Sequence, residues 1–177
     1  MTVTQFEILL KQYGNSIFGF CCHLTGSTDL AEDLYQRAVL KAFSMICKIN
    51  CEDSEKDAYK SARNYIIGIA VRLYKNETRK KMNNLLVYDN EIIESIKSEH
   101  DIELDFLKND MKSAVKQTVD NLSDKFRIIV YMFYFADMSI EQISCNLKIP
   151  KGTVKSRLNR ARAIIKKEME EKGYDRY

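Results

Sequence analysis

At 177 residues, with 45% hydrophobic and 30% charged side chains, the chain can fill one core or two small ones, and a net charge of +3 does not by itself demand a nucleic-acid partner. No apolar run approaches the 18 residues a membrane helix needs, and "MTVTQFEILLKQYGNSIF" has neither the basic start nor the apolar run of a secretion signal. Five cysteines and two histidines suit neither a disulfide framework nor a four-ligand zinc site, so reduced thiols in a cytoplasmic protein are expected, with no metal and no cofactor.

One proline and six glycines leave helical periodicity dominant, which predicts an all-α protein. Two small helical domains joined by a flexible linker are expected, at 1–82, 83–104 and 105–177. In the first, Phe6, Leu9, Leu10, Tyr13, Ile17 and Phe20 recur at helical spacing and predict one apolar face. Gly26-Ser27-Thr28 breaks that helix, and Thr28 or Asp29 is expected to cap a second one. Its predicted stripe is Leu30, Leu34, Ala38, Lys41 and Met45. After a polar stretch, a third helix is expected from about Ala62, with Tyr65, Ile66, Ile69, Ala70 and Leu73 inward.

From Asp89 to Asp110 there are eight acidic residues against two lysines, the composition of an acidic linker. The second domain is expected to open with Leu107, Met111, Ala114, Val115 and Thr118. Ser123 is then the expected cap of the apolar helix "FRIIVYMFYF". Ser139 with Gln142 fits a capping box, opening a short helix with Ile140, Ile143 and Leu147 inward. A tight turn at Lys148-Ile149-Pro150 leads to the last helix.

That helix lies in a segment, Lys148 to Lys167, with eight Lys or Arg and no Asp or Glu. Val154, Leu158, Ala161 and Ile165 form a seam, leaving Lys155, Ser156, Asn159, Arg160, Arg162, Lys166 and Lys167 on the outer side. A short capped helix, a turn and a basic helix make a helix-turn-helix, whose second helix enters the DNA major groove. Lys and Arg there gain affinity by releasing counterions, which a carboxylate would oppose. The backbone N–H groups of Gly152 and Thr153 are expected at the helix start, where a phosphate can bind.

"LSDKFRIIVYMFYFADMSIEQISCNLKIPKGTVKSRLNRARAIIKKEM" closely resembles region four of the RNA polymerase sigma factors of the extracytoplasmic-function (ECF) group, within the sigma-70 family. "LTGSTDLAEDLYQRAVLKAF" resembles their region two, with Ala31-Glu32-Asp33-Leu34 and Gln36 as its core. The resemblance implies that Glu32, Asp33, Leu34 and Gln36 bind the clamp of the largest subunit of core polymerase. "NYIIGIAVRLYKNETRKK" resembles the promoter-melting and minus-10 segment: Ile69, Ala70, Leu73 and Arg79 match, whereas Tyr65, Arg72 and Asn76 replace the usual Trp, Asn and Asp. By the same resemblance Arg72, Lys75, Asn76, Arg79, Lys80 and Lys81 serve the opened strand, with Tyr65 and Tyr74 as candidate stacking groups.

Lys155, Ser156, Asn159 and Arg160 are implied minus-35 base contacts, and Lys151, Thr153 and Arg157 phosphate or capping contacts. Three smaller departures are Arg37 where an acid is common, Ser144 where alanine is, and Lys148 where glycine often makes the turn. The implied function is promoter-specific initiation, with core polymerase, promoter DNA and an anti-sigma factor as partners. No catalytic constellation, small-molecule substrate or membrane insertion is expected. A stand-alone helix-turn-helix regulator is the alternative reading.

Overall fold

A computed structural model describes residues 1–46, 55–88 and 110–174. Residues 47–54, with Cys47 and Cys51, and residues 89–109, with His100, Leu107 and all of the acidic stretch but Asp110, lie outside the described residues. Seven α-helices and no strand are found among the described residues, so the chain is all-α. It divides into two compact units, Met1–Asp101 and Ile102–Tyr177.

The first unit is a three-helix bundle. Helix α1 (Val3–Thr25) starts in a capping box of Thr2 and Gln5, a device not anticipated from the sequence. It ends at Gly26, whose φ of 73° lies in the left-handed region that glycine enters without a Cβ clash. Helix α2 (Thr28–Phe43) begins one residue earlier than expected, with Ser27 as its cap residue. Its buried stripe is Ala31, Leu34, Ala38 and Ala42. Leu30, expected inside, is 51% exposed, and Lys41 is exposed as well. Small side chains won the inward face because they let α2 approach its neighbours closely: a Cβ added at Gly14 of α1 would stand 3.1 Å from the Tyr35 hydroxyl.

Helix α3 (Glu55–Tyr88) is longer at both ends than predicted, starting before Ala62 and running through the expected boundary at 82. Nothing in either flank breaks a helix, so polarity alone did not end it. From Ala58 to Val71 it is almost wholly buried, except for half-buried Lys60 and Tyr65 and exposed Ser61. Phe6, Leu9, Ile17, Phe20 and Leu24 of α1 meet Leu34, Ile66, Ile67 and Ala70 in the core. Cys21 lies there too, where burial, reinforced by Cys22, pushes its thiol up to about 12, so it acts as an inert apolar filler.

The second unit packs α4 (Asp110–Asp120), α5 (Asp124–Val130), α6 (Ile140–Leu147) and α7 (Lys151–Glu171) around Ile128, Ile129, Met132, Ile143, Val154 and Leu158. Ser123 precedes α5 as expected, though its side chain makes no cap hydrogen bond. Helix α5 runs into one π-helical turn, Tyr131–Phe135, and Asp137 then takes a positive φ of 51° that swings the chain toward α6. Met111 is 42% exposed, while Thr118 is buried and accepts a 3.3 Å hydrogen bond from Lys172 Nζ at the far end of α7.

Candidate nucleic-acid and partner interfaces

The α6–turn–α7 geometry starts with local capping. Ser139 Oγ accepts from the Gln142 N–H at 3.2 Å, and Gln142 Oε1 accepts from the Ser139 N–H at 2.9 Å, so the predicted box is present. Helix α6 ends at Lys148, which is left-handed (φ 53°, ψ 46°) without being glycine. The Ser144 hydroxyl holds this turn, donating to the Ile149 carbonyl at 2.6 Å, while the Ile149 N–H returns to the Ser144 carbonyl at 3.2 Å. Pro150 is the cap residue of α7.

The predicted seam holds for Val154, Leu158 and Ala161, all buried, with Ile165 half-buried. Opposite it, Lys155, Ser156, Asn159 and Arg160 are all exposed on the outer side of α7. Ser156 Oγ donates back to the Thr153 carbonyl at 3.1 Å. Arg157 and Thr153 are half-buried and flank this face. The Thr153 N–H, expected to be available for a phosphate, instead donates to the Pro150 carbonyl at 2.9 Å because the first turn is tight. Gly152 remains, and a Cβ there would meet nothing within 4 Å. Lys151 pairs with Glu141 of α6 at 3.1 Å. The backbone N–H of Glu141 itself, and then Lys151, hold the Glu141 carboxyl below its usual range.

On α3, Arg72, Lys75, Asn76, Arg79, Lys80 and Lys81 are exposed, and the first five recur at three- and four-residue steps on one face. Arg72 Nε donates to the Gly68 carbonyl at 3.1 Å. Tyr74 is half-buried. Tyr65 is half-buried and its hydroxyl lies 3.7 Å from the Met45 sulfur, so the ring packs toward the end of α2 rather than standing out as a platform.

On α2, Glu32, Asp33 and Gln36 are exposed, but Leu34 is 1% exposed and supports the face from beneath. Gln36 Nε2 donates to Glu32 at 3.2 Å, and Arg37 pairs with Asp33 at 2.9 Å and with Glu77 of α3. Sequence reasoning missed two exposed apolar residues of this helix, Leu40 (67% exposed) and Phe43, and turned a third, Leu30, inward. Their signal was available, since they fall off the stripe that the alanines of α2 define.

Helices α6 and α7 and the turn between them make a helix-turn-helix with a basic outer face, and residues 112–165 match the family model "Sigma-70, region 4". The ECF sigma factor SigW of Bacillus subtilis is 23% identical over 176 residues, 93% of this chain and 88% of SigW. The RNA polymerase sigma-H factor of Pseudomonas aeruginosa is 24% identical over 173 residues, 93% of this chain and 86% of that protein. The fold is shared with the sigma factor RpoE of Bartonella quintana, solved in complex with the anti-sigma factor NepR: TM-score 0.75, 21% identity, 95% of this chain and 98% of that one. Residues 112–165 carry a sigma-70 region 4 domain, and over most of its length the chain is similar to ECF RNA polymerase sigma factors. The stand-alone regulator reading is accordingly not favoured.

Proposed function

We propose that the N-terminal unit docks on core polymerase and holds the opened minus-10 strand, while α7 reads the minus-35 element as duplex. The docking face is Glu32, Asp33 and Gln36 of α2, with Leu40 and Phe43 as its apolar part; exposed apolar side chains on a polar-rimmed face suit a protein partner. The strand-binding face is Arg72, Lys75, Asn76, Arg79, Lys80 and Lys81 of α3, which tracks a backbone by charge, with Tyr74 beside it. Tyr65 serves the fold.

On α7, Lys155 and Arg160 carry the donors that read guanine, Asn159 can pair with adenine, and Ser156 adds a hydroxyl. Lys151, Arg157 and the N–H of Gly152 set register on the phosphates. The observation that carries this reading is the coincidence of Lys155, Ser156, Asn159 and Arg160 on the solvent side of a helix whose other side is a buried apolar seam. The domain division 1–82, 83–104 and 105–177 is retained as the functional one, with α3 extending past its first boundary.

The protein acts in the cytoplasm, without cofactor or metal, and all catalysis is the polymerase's. An anti-sigma factor is a partner, covering these same faces to keep the chain inactive. The decisive test is a pull-down with core polymerase. Asp33→Ala with Gln36→Ala should abolish retention while stability changes by no more than about 0.5 kcal/mol, as exposed pairs contribute little. Undiminished retention by the double variant would refute the assignment of α2.

A further inference from the structure

Arg162 follows Asn159 by three residues and Lys155 by seven, so it continues their flank of α7 one and two turns further on. Its surroundings differ from those of the other cations on the helix. Lys151, Lys166 and Lys167 each lie against a glutamate, at 3.1, 3.6 and 3.7 Å. Arg162 is held by neutral groups. Its Nε donates to the Tyr134 hydroxyl at 2.8 Å, and its guanidinium carbon stands 5.8 Å from the Phe133 ring centroid and 5.7 Å from that of Tyr134. The two rings meet edge to face, centroids 5.0 Å apart at 80°, and the guanidinium occupies the corner they make.

We propose that Arg162 is a phosphate-binding residue at the rim of the α7 reading face, and that Tyr134 is the residue that positions it. A neutral holder fixes the guanidinium plane without cancelling its charge, whereas a glutamate would offset the charge that a phosphate needs. With Nε taken, the two terminal nitrogens present the fork that matches a phosphate oxygen pair. Tyr134 is 59% exposed and its oxygen accepts from Arg162, so its hydroxyl hydrogen is left to donate to the same phosphodiester. Aromatic clamping also reduces the side-chain freedom lost on binding, which for a loose arginine is among the largest of any residue. The π-helical turn matters because it places Phe133 and Tyr134, adjacent in sequence, at right angles beneath one cation.

The proposal rests on α7 being the DNA-reading helix, and the experiment separates the two claims. The full chain is titrated with a labelled random-sequence DNA duplex over a salt series, because phosphate contacts are sequence-independent. Arg162→Ala should lower the slope of log affinity against log salt by about one, as expected for a lost phosphate contact. Arg162→Lys should keep the slope and lose part of the affinity. Tyr134→Phe, which retains the ring, should weaken binding roughly two- to threefold with the slope unchanged, the size of one lost hydrogen bond. If Arg157→Ala lowers the slope and Arg162→Ala does not, Arg162 merely packs and the inference is overturned. If none of Lys151→Ala, Arg157→Ala and Arg162→Ala changes the slope, the assignment of α7 itself fails.

Discussion

Lys148 and Ser144 illustrate how two unusual residues explain each other. A left-handed lysine costs about 1 kcal/mol or more relative to glycine, and the helix-turn-helix tolerates it because the Ser144 hydroxyl closes the turn on the Ile149 carbonyl. Ser144→Ala should therefore destabilise the chain by about 1 kcal/mol in equilibrium urea unfolding. Lys148→Gly should stabilise it by about 0.5–1 kcal/mol, strain relief outweighing the added freedom of the unfolded chain. A neutral Ser144→Ala would mean the 2.6 Å contact holds nothing. The glycine four residues on obeys a different logic. No part of the fold crowds a side chain at residue 152, so Gly152→Ala should leave the melting temperature unchanged or raised, since alanine is the better helix former. Alanine keeps the N–H, so the same variant should weaken DNA binding only where a phosphate approaches closely enough to crowd the added methyl, and equal affinity would mean that none packs that tightly against residue 152. The open space around Gly152 is a tertiary fact that a sequence cannot display, although the choice of a small residue at the helix entry was visible.

At the scale of elements, α6 and α7 are joined across their turn by Glu141 and Lys151. Lys151 cannot serve a carboxylate and a phosphate equally well, so Glu141→Gln should tighten DNA binding at low salt, and the gain should fade as salt rises. Protonation should imitate the substitution. The folded-state pKa of Glu141 is lowered, so the tether is intact above the ordinary carboxylate range and is lost as pH falls through that lowered value. Affinity measured on wild type and variant should converge in acid, and a constant gap across pH would contradict the tether.

The same scale shows why some elements were legible and others were not. Helices α1 and α7 carry unbroken apolar spacing, and their faces fell where the pattern put them. On α2 the large Leu30 misled, because the bundle there is spaced for alanine and size did not track burial. On α3 the polar ends hid a helix of 34 residues, since polarity marks solvent rather than a terminus. The reading face of Lys155, Ser156, Asn159 and Arg160 could be drawn on a helical wheel. The Arg162–Tyr134 contact joins residues 28 apart, and no periodicity predicts it.

The whole molecule combines a polar and apolar face on α2, a basic strip on α3 and a reading helix in the second unit. Each alone is a modest interface. On the proposed reading their joint use makes initiation specific, because a promoter must satisfy both DNA-binding surfaces while the polymerase is held. The central claim is tested most directly by adding this chain to core polymerase stripped of other sigma factors, on fragmented genomic DNA, and sequencing transcript starts. Discrete starts sharing two upstream elements should appear, and should vanish both with Asp33→Ala plus Gln36→Ala and with Lys155→Ala plus Arg160→Ala. Starts no different from those of core enzyme alone would contradict the account.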